Sequence, residues 1–411
     1  MVEQQFKQTE IGLIPDDWEL LLFSDLFTFL STASYSRSEL DENSYTGYIH
    51  YGDIHTRIGY HLDTNEFVSG RITDDKLKTY PYLKQGDLVI ADASEDYTGV
   101  GKGFEVINNP EVPVISGLHT FLAREKGKKF ALGFKGYFHS NPLIKKQYDA
   151  LATGLKVYSL SKSVFNKIHI PIPPLPEQQA IAEALTHTDE WVESLENLIA
   201  KKRLIKQGAM QQLLIPKSDW DSRRLGEMAD IYTGSKNNQD KIENGNYPFF
   251  VRSQKVERID SYSFDGEAIL VPGEGNLGSI FHYVNEKFDF HQRVYKISNF
   301  NGVCGRFLFW YFQMYFGSHA MKNTVKATVD SIRLPTLQEF VIHYPLYEQQ
   351  ISIATILSDI DSEIAALEQK LNKVQQIKQG MMQELLTGRI RLIEAHNKEQ
   401  QAKPRKSTAK P

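Results

Sequence analysis

The sequence predicts an α/β (α+β) protein: two β-rich globular domains separated by an antiparallel pair of long coiled-coil helices, pseudo-twofold and nearly circular. Three observations predict it. A run from Glu177-Gln178-Gln179 to Leu213-Leu214 recurs as Glu348-Gln349-Gln350 to Leu385-Leu386. Each run carries apolar residues at helical spacing. Each is preceded by a turn-broken, strand-rich region that opens on a tryptophan.

The duplication comes first. Lys206-Gln207-Gly208-Ala209-Met210-Gln211-Gln212-Leu213-Leu214 matches Lys378-Gln379-Gly380-Met381-Met382-Gln383-Glu384-Leu385-Leu386, 172 residues on, whereas the Glu-Gln-Gln triplets lie 171 apart. One residue gained or lost between them is the implied difference. Solenoid repeats run ~20–50 residues, so the repeating unit is a whole half-protein. The resulting division is 1–10, a polar N-terminus expected to be disordered; 11–172, a first domain; 173–216, a first helix; 217–343, a second domain; 344–388, a second helix; and 389–411, a C-terminal segment and tail. In that tail Lys398, Lys403, Arg405, Lys406 and Lys410 stand against Glu399, the composition of a solvated, disordered end with weak phosphate affinity as the alternative.

Ile14-Pro15-Asp16-Asp17-Trp18 heads the first domain and Ile215-Pro216-Lys217-Ser218-Asp219-Trp220 the second. Tyr48–Asp53, Gly86–Ala91 and Val112–Ile115 read as short strands bounded by Gly, Pro and Asp, as do Tyr247–Val251, Ala268–Val271 and Ser279–Val284. Lys129–Ala152 is more helical, and Phe307–Met321 is an aromatic, buried helix. The exits match as well, Val157-Tyr158-Ser159-Leu160 against Val329-Asp330-Ser331-Ile332, but from Trp to exit serine is 141 residues in one domain and 111 in the other. The frame is shared and the interior is not.

The repeated runs are helices. Ile353, Leu357, Ile360, Ile364, Leu367, Leu371 and Val374 are spaced alternately four and three apart, a heptad seam. The counterparts 172 residues earlier are Ile181, Leu185, Thr188, Val192, Leu195, Ile199 and Lys202; the two polar members are expected where the coil meets solvent. Pro176 suits a first helical turn, Glu177 and Glu348 the positive end of the dipole, and Pro216 and Gly388 the far ends. Each helix is about 55–60 Å long. Gly208 and Gly380 cost ~1 kcal/mol each relative to Ala; they are either tolerated or mark close approach of another backbone.

Composition narrows the function. A net charge of −4 excludes a uniformly polyanion-binding protein, so any nucleic-acid surface is a local patch. The lone Cys304 suits a reducing cytoplasm and a core position. No run nears the ~18 apolar residues of a membrane span, so a soluble intracellular protein is expected. Gly273-Glu274-Gly275-Asn276-Leu277-Gly278 fits GxGxxG, but a strand-like segment follows it where a dinucleotide site needs a helix. Asn141-Pro142-Leu143 is similar to an amino-methyltransferase motif yet lacks its second proline and aromatic ring. Asp74-Asp75-Lys76 has no companion acid for a nuclease site. Asp92, Glu95 and Asp96 read as a solvated acidic loop, and the twelve histidines show no metal-ligand spacing. No catalytic residue and no metal ligand is expected.

Pro173-Pro174-Leu175-Pro176-Glu177-Gln178-Gln179 with Tyr344-Pro345-Leu346-Tyr347-Glu348-Gln349-Gln350, the Lys-Gln-Gly-x-Met-Gln-x-Leu-Leu endings and the Ile-Pro-x-x-Trp openings resemble the specificity subunit of type I restriction–modification systems. The likeness covers 11–393; Tyr347, standing where the first half has Pro176, departs from it and defines the second helix start less sharply. The resemblance implies two target-recognition domains, each reading half of a split double-stranded DNA site. It also implies helices that act as a spacer and dock two adenine-methyltransferase subunits, with ATP-driven restriction subunits joining that core. S-adenosylmethionine, ATP and Mg2+ would then sit on the partners, in a prokaryotic cytoplasm, with this chain non-catalytic. Duplication independently favours two equivalent partner surfaces, and unlike interiors favour an asymmetric bipartite target with a fixed spacer. The competing class is a coiled-coil adaptor whose end domains bind proteins.

Base edges are read by Arg, Lys, Asn, Gln or His, and phosphates by basic or small polar groups. On that ground the candidates are Arg37, His50, Tyr51, Arg57, Lys102 and His119 in the first domain. In the second they are Lys236, Arg252, Ser253, Gln254, His291, Gln292 and Arg293, in polar runs that interrupt strands.

Overall fold

The structure, a computed structural model, describes residues 5–66, 70–77, 79–96, 99–152, 158–275, 278–322 and 331–392. It divides into two compact units, one of residues 1–194 with 371–411, the other of residues 195–370. The basic tail beyond 392, and Val157, Val329 and Asp330 of the exit segments, lie outside the described residues.

In the first unit β1 (Phe6–Thr9) pairs antiparallel with β2 (Gly12–Pro15). Residues 6–9 are therefore ordered, contrary to the expectation from their polarity. Ladder bonds to β2, whose Ile14 is fully buried, hold them, and Lys7 donates to the carbonyl of Asp16 at 2.8 Å. β3 (Glu19–Leu22) leads through α1 (Phe23–Leu26) to β4 (Phe27–Leu30). β5 (Thr46–Ile49), α2 (Tyr51–Thr56), β6 (His61–Leu62), β7 (Gly70–Ile72) and α3 (Asp74–Leu77) follow. Next come β8 (Leu88–Ala91), β9 (Ala93–Ser94), β10 (Gly103–Val106), β11 (Val114–Ser116) and β12 (Thr120–Glu125). One sheet has the order β4-β12-β8-β10-β6 and a second the order β11-β5-β7. Leu88-Val89-Ile90-Ala91 is apolar without alternation because β8 is buried along its length.

Two local features explain sequence oddities here. Asn141-Pro142 is the start of α4 (Pro142–Leu151): the Asn141 side chain accepts from the Leu143 amide at 2.9 Å, and proline occupies the first turn. Lys135 and Glu105 are both buried and paired at 2.8 Å, with Glu125 3.4 Å from the same ammonium. The unit closes with β13 (Tyr158–Ser159) on β9, α5 (Lys162–Phe165), and β14 (His169–Ile172) on β3. Then α6 (Leu175–Leu213) begins.

The second unit contains β15 (Asp221–Arg224), β16 (Asp230–Thr233), β17 (Tyr247–Phe250), β18 (Glu257–Ile259), β19 (Phe264–Pro272), β20 (His282–Phe290) and β21 (Val294–Ser298). Six of these form a sheet, β16-β21-β19-β20-β17-β18. α7 (Gly305–Lys322) packs Phe307, Trp310, Tyr311, Phe312 and Phe316 into its core, as the aromatic run predicts. Cys304, just before it, is half-buried and free, less enclosed than expected. α8 (Leu334–Gln338) and β22 (Val341–Tyr344), which pairs with β15, lead to α9 (Tyr347–Leu385).

Both long helices have 39 residues and start 172 apart. The sequence implied an offset that slips to 171 at the Glu-Gln-Gln triplets; the structure corrects this. Gln178 donates to the carbonyl of Pro173 at 2.8 Å, and Gln350 to that of Pro345 at 2.9 Å, so Gln178 corresponds to Gln350 and Glu177 to Gln349. Tyr347 thus answers to Leu175, and the second helix starts as sharply as the first.

The helices run antiparallel within each unit. In the first, Asp189 pairs with Lys378 and Thr188 with Met381; in the second, Lys206 pairs with Asp361 at a place equivalent to Lys378 and Asp189, and Lys202 pairs with Glu363 at 2.7 Å. Ile181, Leu185, Leu195, Ile199, Ile353, Leu357, Ile364 and Val374 are buried, while Val192, Ile360, Leu367 and Leu371 are half-buried. Thr188 is buried too, not at a solvent edge: its hydroxyl returns to the carbonyl of Ala184 at 2.8 Å, which removes the need for water. A Cβ on Gly208 or Gly380 would meet nothing within 4 Å, so no other segment approaches either one closely among the described residues.

Candidate nucleic-acid interface

In the first unit His50, Tyr51, Arg37 and His119 gather at the end of β5 and the start of α2, while Lys102 and Arg57 lie at its far end. His50 caps α2, its Nδ1 accepting from the Gly52 amide at 3.1 Å, and Asp53 closes the box by accepting from the His50 amide at 2.9 Å. Arg37 donates to Asp53 at 2.7 Å. Tyr51 lies against His50 with ring centroids 4.6 Å apart and meets His119 edge-on at 5.4 Å. His119, in the left-handed region at φ 54°, pairs with Asp92 at 3.1 Å. Lys102 donates to the carbonyl of His55 at 3.1 Å, at the other end of α2. Arg57, exposed just past α2, completes the set.

Burial, then the nearby Arg37, holds His50 below the usual imidazole range; burial lowers Lys102 from the usual lysine range and pushes Asp92 above the usual carboxylate range. His50 is therefore neutral near pH 7, a ring with both donor and acceptor. Asp92, expected to be solvated, is only 24% exposed and is engaged by His119. Asp96 accepts from the Gly99 amide at 2.5 Å, a turn contact, and among the described residues no acidic or histidine cluster could hold a metal.

The second-unit candidates converge as well. Arg252 and Arg293 reach the two carboxylate oxygens of Glu274, at 3.1 and 2.9 Å. His291 pairs its backbone with Lys236 and accepts from the Arg293 amide at 2.9 Å. Gln292 donates to Asn237 at 2.6 Å. Ser253 bonds to the carbonyl of Lys255 at 3.1 Å, and Gln254 is exposed beside it. Burial, then Arg252 and Arg293, holds His291 low. Gly273–Gly275 lies between β19 and β20, a strand connection and not a phosphate loop; Asn276 and Leu277 lie outside the described residues.

Backbone register makes the two sites equivalent. The Gly117 amide donates to the Ile49 carbonyl and the His291 amide to the Phe250 carbonyl, both at 2.9 Å. Asp92 N–H donates to the carbonyl of His119 and Gly273 N–H to that of Arg293, at 3.1 and 2.8 Å. Leu160 N–H donates to Asp92 and Ile332 N–H to Gly273, at 3.0 and 2.8 Å. Hence Tyr51 answers to Arg252, His119 to Arg293 and Ala93 to Glu274. His55, Asp53 and Glu274 were missed by sequence reasoning. Only Glu274 carried a signal, its place in the strand connection, and that signal was read as a turn.

The family described as type I restriction modification DNA specificity domain matches residues 15–203 and again residues 217–376. The type I restriction enzyme MjaVIII specificity subunit of Methanocaldococcus jannaschii is 23% identical over 441 residues, 95% of this chain and 97% of its own. The Escherichia coli EcoDI specificity subunit is 28% identical over 169 residues, 41% of this chain and 37% of its own. A crystal structure of a type I restriction-modification system S subunit from M. genitalium shares the fold, with a TM-score of 0.62 at 15% identity over 90% of this chain and 96% of that one. Among the described residues no helix is long and apolar enough to cross a membrane. With both halves of the duplication matched, the chain belongs to the type I restriction–modification DNA-specificity family.

Proposed function

We propose that this chain is the DNA-recognition subunit of a type I restriction–modification complex, in which each β-rich domain reads one half of an asymmetric, bipartite double-stranded target. The observation that carries the reading is the paired interface. One backbone frame presents Tyr51 and His119 in the first unit and Arg252 and Arg293 in the second, so equivalent places meet DNA with different chemistry. His50, Arg37, Lys102 and Arg57 extend the first surface; Lys236, Ser253, Gln254, His291 and Gln292 extend the second. The neutral ring of His50 and the half-exposed guanidinium groups of Arg252 and Arg293 suit base edges, where a uniformly charged groove would grip only phosphates.

The helices dock two methyltransferase subunits. Exposed apolar residues recur at the 172-residue offset: Ile205 with Ile377, one turn before the open Gly208 and Gly380, and Leu175 with Tyr347 at the two helix starts. Duplicated exposed positions fit two copies of one partner. Restriction subunits would join that core, and S-adenosylmethionine, ATP and Mg2+ would be held by partners. Co-expression with the cognate methyltransferase and mapping of methylated adenines genome-wide tests the whole reading. A split, non-palindromic motif that depends on this chain is expected. Methylation without it, or by it alone, would overturn the proposal.

A further inference from the structure

Glu274 is an acid inside a basic DNA-facing set, and it is the least exposed member of its ion-pair triad, at 21% against 44% for Arg252 and 59% for Arg293. Each of its oxygens takes one Nη1, from Arg252 and Arg293 respectively, and both arginine side chains stay about half-exposed. Its backbone is pinned as well, by a bridge to Ser331. The carboxylate thus projects from a backbone position held by that bridge, while two long side chains reach it from separate strand ends. A related contact occurs in the first unit, where His119, equivalent to Arg293, is bonded to Asp92, one position before the counterpart of Glu274.

A phosphate and a carboxylate compete for the same guanidinium donors. Unrestrained, Arg252 and Arg293 would bind any backbone phosphate, contributing affinity without sequence information. With Glu274 between them the net charge of the trio is one where the arginines alone would carry two, and both guanidinium groups are gathered on one carboxylate. A depression of ≈320 Å³ lined by Asn238, Lys241, Arg252, Ser253 and Glu274 opens beside them.

We propose that Glu274 is a specificity-determining positioning residue, which withholds Arg252 and Arg293 from non-cognate phosphates and presents them to guanine edges of the second half-site. The inference rests on the DNA-reading function proposed above. The test uses the full chain in complex with its methyltransferase, comparing wild type with Glu274→Gln and Glu274→Ala. The probes are a duplex carrying the mapped motif and a scrambled duplex of equal length, each titrated over a range of salt.

Both variants are expected to bind scrambled DNA more tightly, with a log K against log salt slope steeper by about 0.9–1.8, one or two added phosphate contacts. Discrimination at second-half-site guanines should fall about tenfold, with the first half-site unchanged as an internal control of folding. Unaltered scrambled-DNA affinity and slope in both variants would overturn the role of Glu274. Loss of binding to both half-sites in Gln and Ala variants alike would overturn it too, by making Glu274 structural. If the wild-type complex itself shows no sequence preference, the DNA-reading function fails instead, and the two failures are distinct.

Discussion

Replacing Arg391 by alanine should unfasten the end of the first unit's C-terminal segment from Asp17 and Glu177. Its guanidinium reaches both oxygens of Glu177, one at 2.7 Å, and both oxygens of Asp17, at 2.9 and 2.7 Å. Glu177 is fully buried, and its remaining donor is the Trp18 indole N–H at 3.0 Å. Breaking a buried pair by removing one partner costs about 3–5 kcal/mol. The Asp17 arm, half-exposed, adds about 0–1. Arg391 itself is 17% exposed, so water enters the gap it leaves, and a loss of about 3 kcal/mol is expected. For a unit of this size that lowers Tm by about 6–12 °C.

The loss should also depend on pH. Burial pushes the Glu177 carboxyl up while Arg391 pulls it back, and Arg391 holds Asp17 below the usual carboxylate range. Without Arg391 the folded-state value of Glu177 rises further above its unfolded value of about 4.3. The penalty is then absent below that pH and complete above the raised folded value. The Asp17 contribution, present in wild type above about pH 4, fades on acidification as well, so the two proteins converge at low pH. Calorimetry of wild type, R391A, E177Q and the double variant between pH 4 and 8 measures this. Addition of Glu177→Gln should restore most of the stability, since a neutral amide still accepts from Trp18. A loss under about 1 kcal/mol, independent of pH and of residue 177, would refute the reasoning.

Four further outcomes follow from the same structure. Lys135→Met leaves Glu105, whose carboxyl burial already pushes up, unpaired in the sheet; about 3–5 kcal/mol should be lost on chemical denaturation, and the double variant with Glu105→Leu should recover much of it. Gly208→Ala and Gly380→Ala have open space for a Cβ and should each stabilise the isolated chain by about 1 kcal/mol; a simultaneous loss of methyltransferase binding in pull-down would place a partner backbone there. Arg293→Ala should change methylation specificity at the second half-site alone, costing about tenfold in affinity by gel shift; an unchanged motif removes it from the interface. Four residues inserted into both long helices should change the permitted spacer while sparing both half-sites, and a methylome that keeps the old spacer would exclude the helices as its determinant.

Local periodicity and chain punctuation carried much of the fold. The 4-3 spacing from Ile353 to Val374, Gly388 at a helix end and the aromatic run of α7 are properties of neighbouring residues, legible wherever the chain goes. The slip at the Glu-Gln-Gln triplets shows the limit of that reading. Identical letters suggested one alignment, whereas the glutamine bonds to Pro173 and Pro345 fix another. Residues 6–9 make the same point, since their order comes from a partner strand and not from their own composition.

The candidate site divides along the same line. Residue chemistry singled out Arg252, His291 and Arg293 as DNA-reading candidates, and the polar interruptions of strands put them at strand ends. The sequence by itself determined the duplication, the seam and the chemical character of each candidate surface. Only the tertiary structure decided that Glu274 lies between two arginines, that His119 and Arg293 are equivalent, and that Arg391 closes on Glu177, 214 residues earlier. Strand register and helix pairing set those meetings, and both depend on contacts between segments far apart in the chain, where no local pattern reaches.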